Sequence, residues 1–210
     1  MPDSKVVALL GPNGAGKTTT LRAASGLIKP TQGRVVLDGV DVTGRPPHEL
    51  ARRGLCHLPE GHGIFPSLTV KENIVLYSPK GDERQGLERA TAQFPALSGR
   101  LGQQAGSLSG GEQQMLSLAR TALTDPKIVV VDEASLGLSP VLVDQVFDAL
   151  SQIVQGGTSL LLVEQYVTRA LELADSVYLM NRGQIVFSGP ATDLQAVDVF
   201  ERYLGIEVTP

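Results

Sequence analysis

Near its beginning the chain carries Gly11-Pro12-Asn13-Gly14-Ala15-Gly16-Lys17-Thr18, which matches the phosphate-loop pattern. That pattern is two glycines five positions apart, then a lysine and a hydroxyl residue. Its glycines permit backbone angles that other residues resist, so successive N–H groups can turn inward around an anion. Lys17 supplies a mobile positive charge for the outer phosphates, and the hydroxyl of Thr18 can ligate the Mg²⁺ that accompanies them.

The residues on both sides of this stretch support the match. The continuous apolar run at residues 6–10 predicts a buried strand, and residues 18–26 predict a helix whose N-terminus faces the phosphates. The alternative is a glycine-rich turn that resembles the pattern by chance. With the strand and the helix in place, the sequence predicts that the chain binds a nucleoside triphosphate.

Composition sets further bounds on the class of protein. The chain has 210 residues, of which 42% are hydrophobic and 19% charged, as in an ordinary globular protein. The net charge of −4 gives no basic footprint, so nucleic acid is not an expected partner. A single cysteine, Cys56, cannot form an internal disulfide and fits a reducing compartment. Without a signal peptide or an apolar run of ~20 residues, the expected location is the cytoplasm.

Alternating strands and helices predict an α/β fold with a mainly parallel sheet. Asp38-Gly39 is a two-residue hairpin signal. The predicted strands are residues 6–10, 33–37, 40–42, 54–58, 128–131, 159–163, 177–180 and 185–187. The predicted helices are residues 18–26, 46–53, 70–77, 82–94, 110–123, 140–154, 165–173 and 191–204.

Two carboxylates follow the apolar strand at residues 128–131. Ligands of α/β sheets bind at the carboxyl ends of the strands, where Asp132 can hold Mg²⁺ directly or through water. Glu133 can polarise the water that attacks the γ-phosphate. The alternative is a solvated acidic strand end, which the presence of the phosphate loop disfavours.

A second candidate anion site lies at residues 108–113, LSGGEQ. Ser109, Gly110 and Gly111 begin a helix, where N–H groups and the helix dipole attract negative charge. Ser109 lies 92 positions after Lys17 (109 minus 17), and one subunit cannot easily bring both anion sites onto one phosphate chain. A site shared between two subunits is the economical interpretation; an ordinary serine-capped helix is the alternative.

The phosphate loop, the LSGGEQQ segment, the Asp132-Glu133 strand end and Ser135–Leu138 together resemble an ATP-binding-cassette (ABC) ATPase. The resemblance implies a P-loop α/β core at residues 1–61 and 115–210, with an inserted helical subdomain at about 62–114. It also implies a head-to-tail homo- or heterodimer that sandwiches two ATP molecules with their Mg²⁺. Glu133 would be the catalytic base, Lys17 would act on the phosphates, and Ser135–Leu138 would link the two sites. The implied nucleotide-binding residues are Gly11, Pro12, Asn13, Gly14, Ala15, Gly16, Lys17, Thr18, Thr19, Ser109, Gly110 and Gly111.

Two departures from the usual cassette pattern indicate a subfamily. Glu60 stands where most cassettes have glutamine, and Gln165 where most have histidine. Both changes resemble the ATPase subunits of branched-chain amino-acid importers. Glu60 can still offer an oxygen to Mg²⁺ beside Thr18 and Asp132. Gln165 can donate to the γ-phosphate but cannot titrate, and it is expected to assist catalysis.

A third departure concerns the beginning of the chain. Cassettes normally start with about two further strands that carry an aromatic residue stacked on adenine, whereas ten residues precede Gly11 here and none is aromatic. The N-terminal strands of the fold are therefore expected to be missing. A truncated N-terminus, a true start upstream or another stacking group are all compatible with this sequence.

The resulting functional prediction is the motor subunit of an importer, peripheral on the inner face of the cell membrane. Its partners would be a second ATPase subunit, integral membrane permease subunits and, indirectly, a solute-binding protein. Residues 61–72 would contact the permease through Ile64, Phe65, Pro66 and Leu68, although each of these can equally pack a core. The alternatives are a regulatory cassette with weak turnover and a non-transport cassette ATPase acting on nucleic acid or ribosomes. The three histidines have no metal-ligand spacing.

Overall fold

The computed structural model of the chain describes residues 5–61 and 63–194. In chain order the strands are β1 (Val6–Leu10), β2 (Val36–Leu37), β3 (Val40–Asp41), β4 (Leu55–Leu58), β5 (Ile128–Asp132), β6 (Ser159–Val163), β7 (Ser176–Asn181) and β8 (Gln184–Pro190). The α-helices are α1 (Lys17–Ala24), α2 (Pro47–Arg52), α3 (Val70–Tyr77), α4 (Glu83–Gln93), α5 (Gly110–Leu118), α6 (Arg120–Thr124), α7 (Pro140–Gln155) and α8 (Val167–Leu173). Short 3-10 helices occupy Pro95–Arg100, Ala105–Ser107 and Ala191–Leu194.

Six of the strands form one sheet in the order β4-β5-β6-β1-β7-β8. The first five are mutually parallel, and β8 returns antiparallel to β7. Val129 and Val131 join one apolar cluster and Val130 joins another, as expected when alternate side chains of a strand point to opposite faces. Both faces are therefore covered. The predicted α/β fold of the P-loop class is confirmed.

The parallel order brings the carboxyl ends of β1, β4, β5 and β6 to the same edge of the sheet. The phosphate loop follows β1, and Glu60 lies two residues beyond β4. Asp132 ends β5, and Gln165 lies two residues beyond β6. Residues far apart in sequence thus converge because their strands are neighbours.

Most predicted elements are present, with small shifts at their ends. The hairpin turns at Asp38 and Gly39, whose φ angles of 50° and 74° are those of a type I′ turn. Thr69 caps α3 through reciprocal hydrogen bonds with Glu72, the capping box. The helix predicted over 165–173 begins later, at Val167.

The helix predicted over 110–123 is in fact two helices. Helix α5 ends at Leu118 and α6 begins at Arg120. At the break, the N–H of Ala122 bonds the carbonyl of Ala119, three residues back rather than four. On the far side, the Arg120 guanidinium stacks 4.3 Å from the ring centre of Tyr77 on α3. The helix axis is therefore interrupted where the second segment packs against α3.

The helix predicted over 191–204 starts as the 3-10 helix Ala191–Leu194, and its remaining residues lie outside the described part of the chain. Helices α3, α4, α5 and α6 lie in the stretch between β4 and β5. The division into a core and a helical subdomain, with boundaries near 62 and 114, stays a prediction. Across residues 5–61 and 63–194, each helix is too short or too polar to cross a membrane.

Candidate functional site

The phosphate loop packs against the end of β7 and against the turn that joins β7 to β8. Gly11 has a φ of 155°, and a Cβ atom there would lie 2.1 Å from the carbonyl oxygen of Met180. Four residues on, the carbonyl of Ala15 accepts a hydrogen bond of 2.8 Å from the N–H of Gly183. The loop therefore rests against backbone that cannot give way, and only glycine fits at position 11.

Lys17 begins α1 and is 95% buried, with 5% of its surface exposed. Its ammonium nitrogen Nζ donates to the carbonyl of Gly11 over 2.8 Å and to that of Pro12 over 3.2 Å. The positive charge therefore lies against the carbonyl groups at the start of the phosphate loop. Thr19 follows on the exposed side of the same first turn.

Thr18 and Asp132 are joined across the end of the sheet. The hydroxyl of Thr18 donates to Oδ1 of Asp132 over 3.0 Å. Asp132 is only 2% exposed, and burial raises the pKa of its carboxyl. The bond from Thr18 opposes this rise, whereas the charges of Glu133 and Glu60 add to it. A buried carboxylate beside other carboxylates favours a cation as its partner.

Glu60 and Asp132 line one cavity of about 400 Å³, together with Arg22 and His57. Burial, with the nearby charges of Arg120 and Arg22, lowers the pKa of His57 to about 4, so its imidazole is neutral at pH 7. Residues 5–61 and 63–194 contain no cluster of three or more His, Cys, Asp or Glu side chains that would hold a metal by themselves. The two carboxylates that line the cavity, Glu60 and Asp132, fit Mg²⁺ instead, because Mg²⁺ is commonly bound by one or two carboxylates together with substrate phosphates.

Glu133 and Gln165 form the second side-chain pair at this edge. Nε2 of Gln165 donates to Oε2 of Glu133 over 2.8 Å. The backbone of Glu133 is in the left-handed region, with a φ of 52°, and its N–H bonds the carbonyl of Val163 over 2.9 Å. The chain thus turns sharply at the end of β5, and the glutamate faces the end of β6.

The segment at Ser109–Gly111 starts α5 with a complete capping box. Oγ of Ser109 accepts from the N–H of Glu112, and Oε2 of Glu112 accepts from the N–H and hydroxyl of Ser109, both over 2.9 Å. Arg100 pairs with the other carboxylate oxygen over 3.0 Å. These partners hold the pKa of Glu112 below its usual range, the backbone bond from Ser109 contributing most. A Cβ on Gly111 would lie 2.5 Å from Leu142 of α7, so the helix start packs tightly there.

The structure therefore gathers six of the predicted side chains at one sheet edge and holds the serine segment as a preformed helix start on α5. The six are Lys17, Thr18, Glu60, Asp132, Glu133 and Gln165. Sequence reasoning missed Glu164, which lies between the end of β6 and Gln165 and is 2% exposed. Its signal was a carboxylate directly after a continuous apolar strand. It also missed Arg22, which shares the cavity with Asp132.

The chain matches known proteins over nearly its whole length. A family model described as ABC transporter matches residues 1–136. The high-affinity branched-chain amino acid transport ATP-binding protein BraG of Pseudomonas aeruginosa is 37% identical over 205 residues, covering 96% of this chain and 88% of BraG. The lipopolysaccharide export system ATP-binding protein LptB of Haemophilus influenzae is 32% identical over 212 residues, covering 96% of this chain and 86% of LptB.

Solved structures agree. An ATP-binding cassette of an ABC transporter, in its ADP conformation, superimposes with a TM-score of 0.79 and 27% identity. The superposition covers 94% of this chain and 88% of that one.

Proposed function

This chain belongs to the ABC transporter family of ATPases, and from that premise we propose that it is the motor subunit of an importer for branched-chain or related amino acids. Its activity is ATP hydrolysis. The observation that carries the proposal is the convergence, at one sheet edge, of the phosphate loop, the Thr18–Asp132 pair and the Glu133–Gln165 pair. The likeness to BraG supports the choice of solute.

The residues at this edge of the sheet have separate roles in ATP hydrolysis. The ATP phosphates would lie over the loop N–H groups, with the Lys17 ammonium turned from the loop carbonyls toward the outer phosphates. Thr18, Asp132 and Glu60 would hold the Mg²⁺ that enters with ATP and neutralises charge on the phosphate oxygens. Gln165 would keep the Glu133 carboxylate oriented toward the attacking water.

In the chemical step, the water oxygen bonds to the γ-phosphorus, the bond from phosphorus to the bridging oxygen breaks, and Glu133 takes the proton of the water. The products are ADP and inorganic phosphate. A positioned general base contributes about 10²–10⁴-fold to the rate.

A second copy or a sister subunit would complete the site through Ser109, Gly110 and Gly111. The capping box leaves this helix start preformed, with the N–H groups of Gly110 and Gly111 outside the box and directed to a γ-phosphate held by the partner. Arg100 and Glu112 fix its orientation before the two subunits meet.

The permease would dock beside Phe65. Phe65 is 44% exposed, while the loop that carries it is fixed by the buried side chain of Asn73. The N–H of Phe65 donates to Oδ1 of Asn73 over 2.8 Å, and Nδ2 of Asn73 donates to the carbonyl of Phe65 over 3.0 Å. Ile64 packs against the core instead. A rigid loop that presents an exposed aromatic side chain suits a contact with an apolar partner helix.

The sandwich can be tested with the Glu133→Gln variant. We expect turnover to fall by about 10²–10⁴-fold, ATP still to bind, and the ATP-loaded protein to sediment as a dimer. Adding Ser109→Glu places a negative charge where the partner's γ-phosphate would lie, and should return the protein to a monomer. A Glu133→Gln protein that stays monomeric with ATP, both alone and with its membrane partner, would contradict the proposal.

The likeness to LptB makes lipopolysaccharide export a second candidate. A tagged chain captured from native membranes, reconstituted with the permease it retains, decides between the two. ATP-dependent uptake of labelled leucine supports the importer. Extraction of lipopolysaccharide from the vesicles, without leucine uptake, supports the exporter.

A further inference from the structure

Glu164 is a buried carboxylate that the proposed mechanism does not use. Its side chain is 2% exposed, and the Ser135 residue beside it is fully buried. An ionised group away from water is costly unless it is paired or hydrogen-bonded. The hydrogen-bond partners of Glu164 therefore indicate the role of this residue.

Three donors converge on the two carboxylate oxygens of Glu164. The N–H of Ser135 donates to Oε1 over 3.1 Å, and the Ser135 hydroxyl donates a short bond to Oε2. The main-chain N–H of Gln165 also reaches Oε2, over 3.3 Å. Glu164 thus connects the loop that follows β5 with the segment that follows β6.

Gln165 is held at both ends by glutamates. Its main-chain N–H points to Glu164, and its side-chain amide points to Glu133. A continuous path of hydrogen bonds therefore runs from Ser135 through Glu164 and Gln165 to Glu133. Ser135 begins the segment 135–138, which is expected to pass between the two ATP sites of a dimer.

We propose that Glu164 is a positioning residue for ATP hydrolysis, which aligns the Gln165 amide on Glu133 and couples that pair to the loop beginning at Ser135. The inference rests on the proposed function. Glu164 touches neither nucleotide nor water in this scheme, and it acts through Gln165. Displacing a catalytic group by about 1 Å can cost about 10²-fold in rate. A small displacement of Gln165 after a change at Glu164 is therefore enough to slow ATP hydrolysis.

The decisive variant is Glu164→Gln, which keeps the shape and loses one acceptor. A carboxamide has a single oxygen for three donors, so at least one N–H must face an NH₂ group. We expect kcat to fall about tenfold or more, while the dissociation constant for ATP stays that of the wild type. The matched control is Glu88→Gln on α4, an exposed glutamate paired with Arg84, which should keep the wild-type kcat.

A double-mutant cycle separates positioning from a purely structural role. In a Gln165→Ala background, Glu164→Gln should lower kcat little further, because the path to Glu133 is already cut. If Glu164 only stabilises the fold, the two effects multiply and the thermal midpoint falls in parallel with kcat. Multiplied effects, or a Glu164→Gln variant with wild-type kcat, overturn the inference.

Ser135→Ala keeps the test decisive should Glu164→Gln fail to fold. It removes only the hydroxyl donor, and it should lower kcat without changing the affinity for ATP; unchanged kcat overturns the inference. Wild-type protein without ATPase activity alongside its partners would instead refute the proposed function. The two failures are thus distinguishable.

Discussion

The hydroxyl of Thr18 and the carboxylate of Asp132 meet over 3.0 Å, although 114 positions separate them. This bond joins the first turn of α1 to the last residue of β5. It sets the two oxygens side by side at the edge where the phosphates of ATP would lie. The cation that enters with the nucleotide would find both ligands already oriented.

Asp132→Asn should weaken Mg²⁺ without removing nucleotide. The amide keeps the size of the side chain and loses its negative charge, so the Mg²⁺ concentration for half-maximal ATPase should rise about 10- to 100-fold. A Mg²⁺ titration of the ATPase rate measures this shift, and nucleotide binding in chelator should stay at the wild-type level. Asp144→Asn, at an exposed aspartate of α7, is the control. An unchanged Mg²⁺ requirement in Asp132→Asn would remove Asp132 from the metal site.

Gln165 is predicted to assist Glu133 without titrating. Replacing it with alanine removes the 2.8 Å bond to Glu133 and should slow turnover, and no ionisation of residue 165 itself shapes the wild-type rate profile. Gln165→His should instead introduce an ionisation near the usual imidazole pKa of about 6.5. The measurement is kcat as a function of pH for these three proteins and for Glu164→Gln, which removes the ionisation of Glu164. An acidic limb near neutrality that is lost in Gln165→Ala but persists in Glu164→Gln would refute this prediction.

Gly11 and Gly14 should respond differently to alanine. A Cβ at Gly11 meets the Met180 carbonyl at 2.1 Å, whereas one at Gly14 has no neighbour within 4 Å. Gly11→Ala should cost about 1–3 kcal/mol of unfolding free energy from overpacking, beyond the roughly 1 kcal/mol expected for a left-handed alanine at either position. Denaturant unfolding of the two variants gives the comparison. Equal losses would mean that the loop does not rest on β7.

Much of this site could be predicted because its signals are local. The glycines and Lys17 lie within one short loop, and Asp132 and Glu133 directly follow an apolar strand. Continuous apolar strands also indicated a parallel sheet covered on both faces. The chemistry at each strand end was therefore readable without the strand order.

The features that were missed depend on contacts between segments. The role proposed for Glu164 depends on its hydrogen bonds with Ser135, 29 positions earlier, and the two residues are close only because β5 and β6 are neighbours. The break at Ala119 has no local signal, since alanine favours helix and the interruption occurs where α6 packs on Tyr77. Tertiary contacts therefore determine both the partners of Glu164 and the position of the helix break.

Glu164 and His57 should pull the pH dependence of stability in opposite directions. Burial raises the pKa of Glu164 from 4.5 to about 7, so between these values the native protein keeps a proton that the unfolded chain releases. Its contribution to stability is therefore lost as pH rises through that window. Burial lowers the pKa of His57 from 6.5 to about 4, so below 6.5 the unfolded chain takes a proton that the native protein does not. The contribution of His57 is lost as pH falls.

In the wild type, the changes of unfolding free energy with pH that Glu164 and His57 cause offset each other between about pH 5 and about pH 6.5. Replacing one of the two residues should reveal the contribution of the other. Glu164→Gln leaves His57 acting alone, so its unfolding free energy should rise with pH relative to the wild type by up to about 1.4 kcal/mol per pH unit. His57→Gln leaves Glu164 acting alone and should show the opposite trend. Denaturant unfolding across this range measures both differences. Variant curves that run parallel to the wild type would mean that neither group changes its protonation on folding, which would contradict the raised pKa of Glu164 and the lowered pKa of His57.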